Sequence, residues 1–160
     1  VQHGQHAAFG VVGKGRQVDL KGGVCNGVFA VFIKRTVQGQ HIVKVHLGLE
    51  QLLDCDGVLF LVADQPWLKR DSAEALAALW AQNPGKIAAM AHGGVRGNPC
   101  IFPARFYPEL LELTGDRGGS AVIRRHEDAL ILLETDALEL ADVDTPAALE
   151  QVRQTKASEI

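Results

Sequence analysis

The residues most suited to chemistry begin at Asp64. It follows the apolar run Gly57–Val62 by one residue and is followed by Gln65 and Pro66, in "DGVLFLVADQPWL". Pro66 cannot continue a strand ladder, so the chain must turn there. In an open α/β sheet, ligands bind beyond the carboxyl ends of the strands, which is where Asp64 would stand. A carboxylate in that place suits Mg²⁺, which prefers oxygen donors and shares itself with substrate phosphates. It would equally suit a turn-forming aspartate. A second acidic group lies in "ADVDTPAAL", where Asp142 and Asp144 alternate and so fall on one side of an extended segment. Acidic residues near a helix N-terminus are also favoured by the macrodipole alone.

Two glycine-rich segments offer the complementary charge. In "GGVRGNPCIF", glycines allow close backbone approach and Arg96 could meet a phosphate, although the segment also reads as an ordinary turn between strands. In "TGDRGGSAV", backbone N–H groups before a helix could form an anion nest, or the segment is a helix C-cap and loop. Other motifs fail on inspection. "GVVGKG" places Gly15 where a phosphate-binding Walker loop needs Ser or Thr, and Ala8 where its first Gly belongs. His3, His6 and the distant Cys25 do not make a zinc pattern. His41, His46, His92 and His126 have no partner visible in sequence and read as surface or satisfied residues.

The elements that must position these groups alternate. "VKVHLGLEQLL" places Val45, Leu49, Leu52 and Leu53 on one helical face. "GVLFLV" reads as a central strand covered on both faces. "DSAEALAALWAQN" predicts a helix with an Asp71/Glu74 capping box and a Leu76, Leu79, Trp80 stripe. "GKIAAMA" predicts a strand opened by Pro84-Gly85, and "NPCIF" a short extended piece. "PARFYPELLELTG" predicts a helix whose main part starts at Pro108 and ends at Gly115. "GGSAVIRRH" predicts a short helix, "ALILLET" a strand, and "TPAALEQVRQ" a helix with Thr145 as N-cap. Such alternation indicates an α/β domain with a mostly parallel sheet.

A chain of 160 residues fits one domain with a sizeable core. Its net charge of −3 argues against generic nucleic-acid binding. No apolar run reaches membrane-spanning length, and three scattered cysteines fit reduced thiols in the cytoplasm. The composition is uneven. The first 50 residues hold six Lys or Arg against two acids, and nine of the 17 glycines. The other 110 residues hold ten basic and 17 acidic side chains.

The ordered set "DGVLFLVADQPWL", "RGNPCIF", "FYPELLELTGDRGGSAVIRRH" and "DVDTPAALE" resembles the molybdenum cofactor cytidylyltransferase family, over about residues 45–155. The resemblance implies a three-layer α/β/α nucleotidyltransferase fold of Rossmann-like type. It implies transfer of CMP, or another nucleoside monophosphate, from CTP or a related NTP to a phosphorylated acceptor such as molybdopterin, with release of pyrophosphate. By the same resemblance Asp64 and Asp144, with Asp142 beside it, would bind Mg²⁺. Gln65, Pro66, Arg96, Gly97, Asn98, Pro99, Gly115, Asp116, Gly118 and Gly119 would meet substrate. Ser120 stands where relatives often carry Arg. A molybdenum enzyme or its chaperone would be a partner, and neither nucleic acid nor membrane would be.

The family's opening loop, LAAGxSxRMGxxK, has no counterpart in "HAAFGVVGKGR", and the distance to Asp64 is short by one βαβ unit. Residues 1–43 are therefore expected to be an aberrant or divergent segment, such as an out-of-frame translation, ahead of a nucleotidyltransferase domain at 44–156. The expected consequence is impaired transfer. The alternatives are a relative of the same fold with another acceptor, or a non-catalytic binding remnant.

Overall fold

The computed structural model describes residues 11–12, 28–33, 49–50, 52–62, 64–114 and 118–158. Among the described residues six strands form one sheet: β1 (Val11–Val12), β2 (Val28–Ile33), β3 (Gly57–Val62), β4 (Ile87–His92), β5 (Val95–Pro103) and β6 (Leu130–Glu134). Their order is β1-β2-β3-β5-β4-β6. The pairs β1·β2, β2·β3 and β4·β6 are parallel, and β5 runs antiparallel to both β3 and β4. The sheet is thus mostly parallel, as alternation predicts, with one reversed strand.

The reversal has a local cause. Only Gly93 and Gly94 separate β4 from β5, and a parallel connection needs a dozen residues or more. Both glycines take positive φ, 56° and 76°, which a two-residue hairpin turn of the primed type requires. The segment that reads from sequence as an ordinary turn between strands is indeed a hairpin turn, and the piece expected to be short and extended is part of the nine-residue β5. The Asn98-Pro99 peptide within it is cis.

Alternate side chains of the central strands feed two separate cores. On one face, Val58, Phe60, Ile87, Ala89, Cys100 and Phe102 pack with Leu49 and Leu52, with Tyr107 and Leu110, and with Val122 and Ile123. On the other, Leu59, Leu61, Ala88, Met90 and Ile101 pack with Leu76, Ala77 and Trp80. The helices on these faces are α1 (Arg70–Ala81), α2 (Tyr107–Leu111) and α3 (Ser120–Arg125). Helix α4 (Pro146–Ser158) closes the chain. Apolar layers on both sides of the sheet make this the three-layer α/β arrangement expected, and explain why "GVLFLV" carries no polar residue.

Close packing sets small residues at particular points. A Cβ on Gly57 would lie 2.6 Å from Cζ2 of Trp80, so the indole rests directly on the strand backbone. Phe60 and Phe102 meet edge to face at 5.6 Å between centroids. The phenol of Tyr107 donates to the carbonyl of Cys55 at 3.1 Å, and burial pushes its pKa up, which keeps the donor protonated.

Three local expectations are corrected. Leu53 is 51% exposed, because the helical turn through residues 49–50 ends in tighter turns, with Leu52 N–H to Leu49 O and Cys55 N–H to Leu52 O, which rotate it outward. Asp71 is not a cap: α1 starts at Arg70 with Lys69 in the N-cap place, and Glu74 pairs with Arg70 at 2.6 Å instead. The helix expected over "PARFYPELLELTG" is a 3-10 turn, Ala104–Phe106, followed by the five-residue α2. By contrast Thr145 does cap α4, its Oγ1 accepting from Ala148 N–H at 3.2 Å. Cys55 and Cys100 are buried and form no disulfide among the described residues. No helix among the described residues is long and apolar enough to cross a membrane.

Candidate functional site

Asp64 stands two residues beyond the last residue of β3, at the carboxyl end of that strand. It is half-buried, and its Oδ1 atom is shielded from solvent. The chain that follows β6 returns to it. After β6 comes a 3-10 turn, Ala137–Leu140, and then the extended segment 141–144. Val143 N–H donates to the backbone carbonyl of Asp64 at 2.8 Å. This bond sets Asp142 and Asp144, both exposed, on either side of the residue that touches Asp64. The backbone of the 142–144 segment is thus set alongside Asp64, 79 positions earlier in the chain.

Gln65 reinforces the junction. It is 8% exposed, and its Nε2 donates to the carbonyl of Leu140 at 3.3 Å. Its Oε1 is buried without a hydrogen-bond partner among the described residues. Pro66 lies half-buried in the turn. Leu140 also covers Gly97, where a Cβ would lie 3.1 Å from Leu140 Cδ1. Gly97 therefore admits Leu140 over β5, and the two glycine and acid motifs touch through one leucine.

The remaining predicted residues form a neighbouring group. Arg96 Nη2 donates to Ser120 Oγ at 3.0 Å, joining β5 to the first residue of α3. Its Nη1 lies 3.8 Å from Cys100 Sγ, and that thiol also contacts Gly97 O and Asn98 Oδ1. Burial pushes the Cys100 thiol pKa up, and the Arg96 charge only partly offsets it. Pro99 is fully buried. A Cβ on Gly119 would lie 2.8 Å from Phe102 Cζ, so this glycine is required by packing, whereas Gly118 has nothing within 4 Å. Gly115 and Asp116 lie outside the described residues. His92 and His126 are satisfied, by Thr135 O at 2.8 Å and by Glu109 Oε1 at 2.7 Å.

Sequence reasoning missed Glu139. It is 3% exposed and faces the start of α1. Its carboxylate accepts from Lys69 N–H at 3.1 Å and from Thr135 Oγ1 at 2.9 Å, and it pairs with Lys69 Nζ at 3.3 Å. Burial alone would raise its pKa, but bonds from Ser72, the Lys69 backbone, Thr135 and Lys69 Nζ outweigh that and hold it below the usual carboxylate range. No local spacing marks this residue, since its partner lies 70 positions away.

Carboxylate oxygens of the Asp64, Asp142 and Asp144 kind suit a hard divalent cation. Among the described residues no group of three or more His, Cys, Asp or Glu side chains converges tightly enough to hold a metal alone. Such a site would use ligand phosphates as its other donors, as Mg²⁺ sites commonly do.

The family model described as "MobA-like NTP transferase domain" matches residues 24–130. Purine catabolism protein PucB of Bacillus subtilis (strain 168) is 30% identical over 116 residues, covering 71% of this chain and 55% of that protein. The chain thus spans about half the length of that curated relative. Among solved structures, Rv0371C of Mycobacterium tuberculosis H37Rv, in complex with manganese, aligns with a TM-score of 0.62 at 14% identity, covering 79% of this chain and 77% of the other. CMP:2-keto-3-deoxy-manno-octonic acid synthetase complexed with CTP aligns with a TM-score of 0.56 at 12% identity, covering 86% and 83%.

Proposed function

This chain belongs to the MobA-like NTP transferase domain family, and from that membership we propose that it handles CTP, with Mg²⁺, for transfer of CMP to a phosphorylated acceptor of the molybdopterin type. The observation that supports the reading is the Val143–Asp64 backbone bond, which sets the segment holding Asp142 and Asp144 alongside Asp64 beyond the carboxyl end of β3. The manganese and CTP in the two structural relatives are consistent with it.

In the proposed reaction an acceptor phosphate oxygen attacks the α-phosphorus of CTP. The new P–O bond forms as the α–β bond breaks, and pyrophosphate leaves. Such transfer asks the protein mainly for alignment and charge neutralisation. Asp64, Asp142 and Asp144 would hold the cation, which when bound acts as Lewis acid and template. Arg96, steadied by Ser120, offers a fixed cation to the acceptor's phosphate. Ser120 adds a hydroxyl where relatives often present a second guanidinium. Gly118, open on its Cβ side, leaves backbone accessible to the acceptor.

Residues 1–43 contain no LAAGxSxRMGxxK loop to steady the triphosphate, and impaired transfer by these 160 residues is part of the proposal. Cytoplasmic residence and delivery to a molybdenum enzyme or its chaperone belong to the same proposal. Calorimetric titration with CTP and Mg²⁺, followed by pyrophosphate release on adding molybdopterin, tests it. Binding that disappears in Asp64→Asn supports the reading. Absence of binding at millimolar nucleotide overturns it in favour of a non-catalytic remnant.

A further inference from the structure

Helix α1 begins beside Asp64 but carries no cap of its own. Lys69 occupies the N-cap place and makes no side-chain cap bond, and the one acid of the first turn, Asp71, is exposed. The first N–H groups of a helix need acceptors. Here the acceptor is the carboxylate of Glu139, taking Lys69 N–H at 3.1 Å from 70 residues away. Thr135, Ser72 and Lys69 Nζ converge on the same carboxylate, and Asp136 holds Lys69 Nζ from outside at 3.2 Å.

The geometry on either side explains why this matters. Glu139 ends three residues before Asp142. Lys69 begins the helix five residues after Asp64. The contacts Gln65 Nε2 to Leu140 O and Val143 N–H to Asp64 O run alongside. Of these links, only the one at Glu139 is charge-assisted, and such bonds are roughly twice as strong as neutral ones.

We propose that Glu139 is a positioning residue, whose buried carboxylate caps α1 from the far side of the site and thereby fixes the segment 141–144 against Asp64. The role it would serve in cation and nucleotide binding rests on the function proposed above. The inference about the segment itself does not.

Amide hydrogen exchange at Val143 reads the fixed segment directly, with the fully buried amides of β4 as an internal check on the fold. In Glu139→Ala, Val143 exchange is expected to accelerate about tenfold or more while β4 keeps its protection, and Glu139→Gln should recover part of the loss. CTP affinity in the presence of Mn²⁺ should weaken about tenfold in Glu139→Ala. It should hold in Leu110→Ala, a core variant in α2 that costs stability without touching the site. Unchanged Val143 exchange overturns the inference. Faster exchange with unaltered CTP affinity, where Asp64→Asn abolishes binding in the same assay, overturns the role of Glu139 in nucleotide binding. If the wild-type chain binds no CTP, the proposed function fails, and the Val143 measurement still decides the role of Glu139.

Discussion

Gly118 and Gly119 are adjacent and identical in type, yet the structure separates their roles sharply enough to test. A Cβ added to Gly119 meets Phe102 Cζ at 2.8 Å and Cε2 at 3.1 Å. Phe102 is 1% exposed and braced edge-on by Phe60, so its ring cannot swing away without disturbing a second aromatic. Overpacking of this kind costs about 1–3 kcal/mol. The φ of Gly119 is −49°, which alanine adopts freely, so the substitution would otherwise gain up to about 1 kcal/mol from the unfolded state. Gly119→Ala is therefore expected to lose about 1–2 kcal/mol, or roughly 2–8 °C in Tm at this chain length. Gly118→Ala, which meets nothing, should lie within about 0.5 kcal/mol of wild type. Urea denaturation of the two variants, and of Gly119→Ala combined with Phe102→Leu, is the assay. The double variant should recover about 1 kcal/mol relative to additivity, because the shorter side chain vacates the contested space. If Gly119→Ala is as stable as wild type, or if the double variant is strictly additive, the packing account of Gly119 is wrong.

Other outcomes follow from single contacts. Thr145→Ala should cost about 1 kcal/mol in denaturant unfolding, since it removes the cap on α4; a loss confined to a few tenths would argue that the cap frays in solution. Glu139 has a depressed folded pKa, so its stabilisation is present above the ordinary glutamate value and disappears as pH falls through the lower folded one. Between about pH 6 and pH 3 the wild type should thus lose more stability than Glu139→Gln, and parallel curves would contradict this. Cys100, buried and with a raised pKa, should resist alkylation at about pH 8 until the protein unfolds. Rapid labelling of native protein would show that β5 opens readily.

What could be read from sequence was what local pattern determines. "GVLFLV" announces a doubly covered strand, and Thr145-Pro146 a helix start, because each signal lies within a few residues. The reversed strand was harder to see. Pro99 and Gly97 make β5 look like a short extended piece after a turn, while the Gly93-Gly94 pair carried the hairpin signal in only two residues. The capping expectation at Asp71 failed for a different reason. The local rule was met, but a carboxylate from a distant turn occupied the role first. At the candidate site, Asp64 was legible from its place after a strand. Its neighbour in space, Val143, was not, because nothing local encodes a bond between the two. Arg96 was legible as a charge, and its tether to Ser120 only from the fold.

The way the site is stitched together also constrains when it can exist during synthesis. The links that complete it join residues 70 and 75 positions apart, so forming them closes long loops of chain. The β4–β5 hairpin closes over two residues, and β3 pairs with β5 through contacts such as Phe60 with Cys100, over a shorter loop than those links. A nascent chain emerging from the ribosome would hold the centre of the sheet and the Asp64 turn while still lacking Asp142 and Asp144. Ligand capture should then be among the last events in maturation. A single cut in the exposed stretch Asp136–Leu138 would sever the tether between β6 and the acidic segment while leaving the hairpin intact.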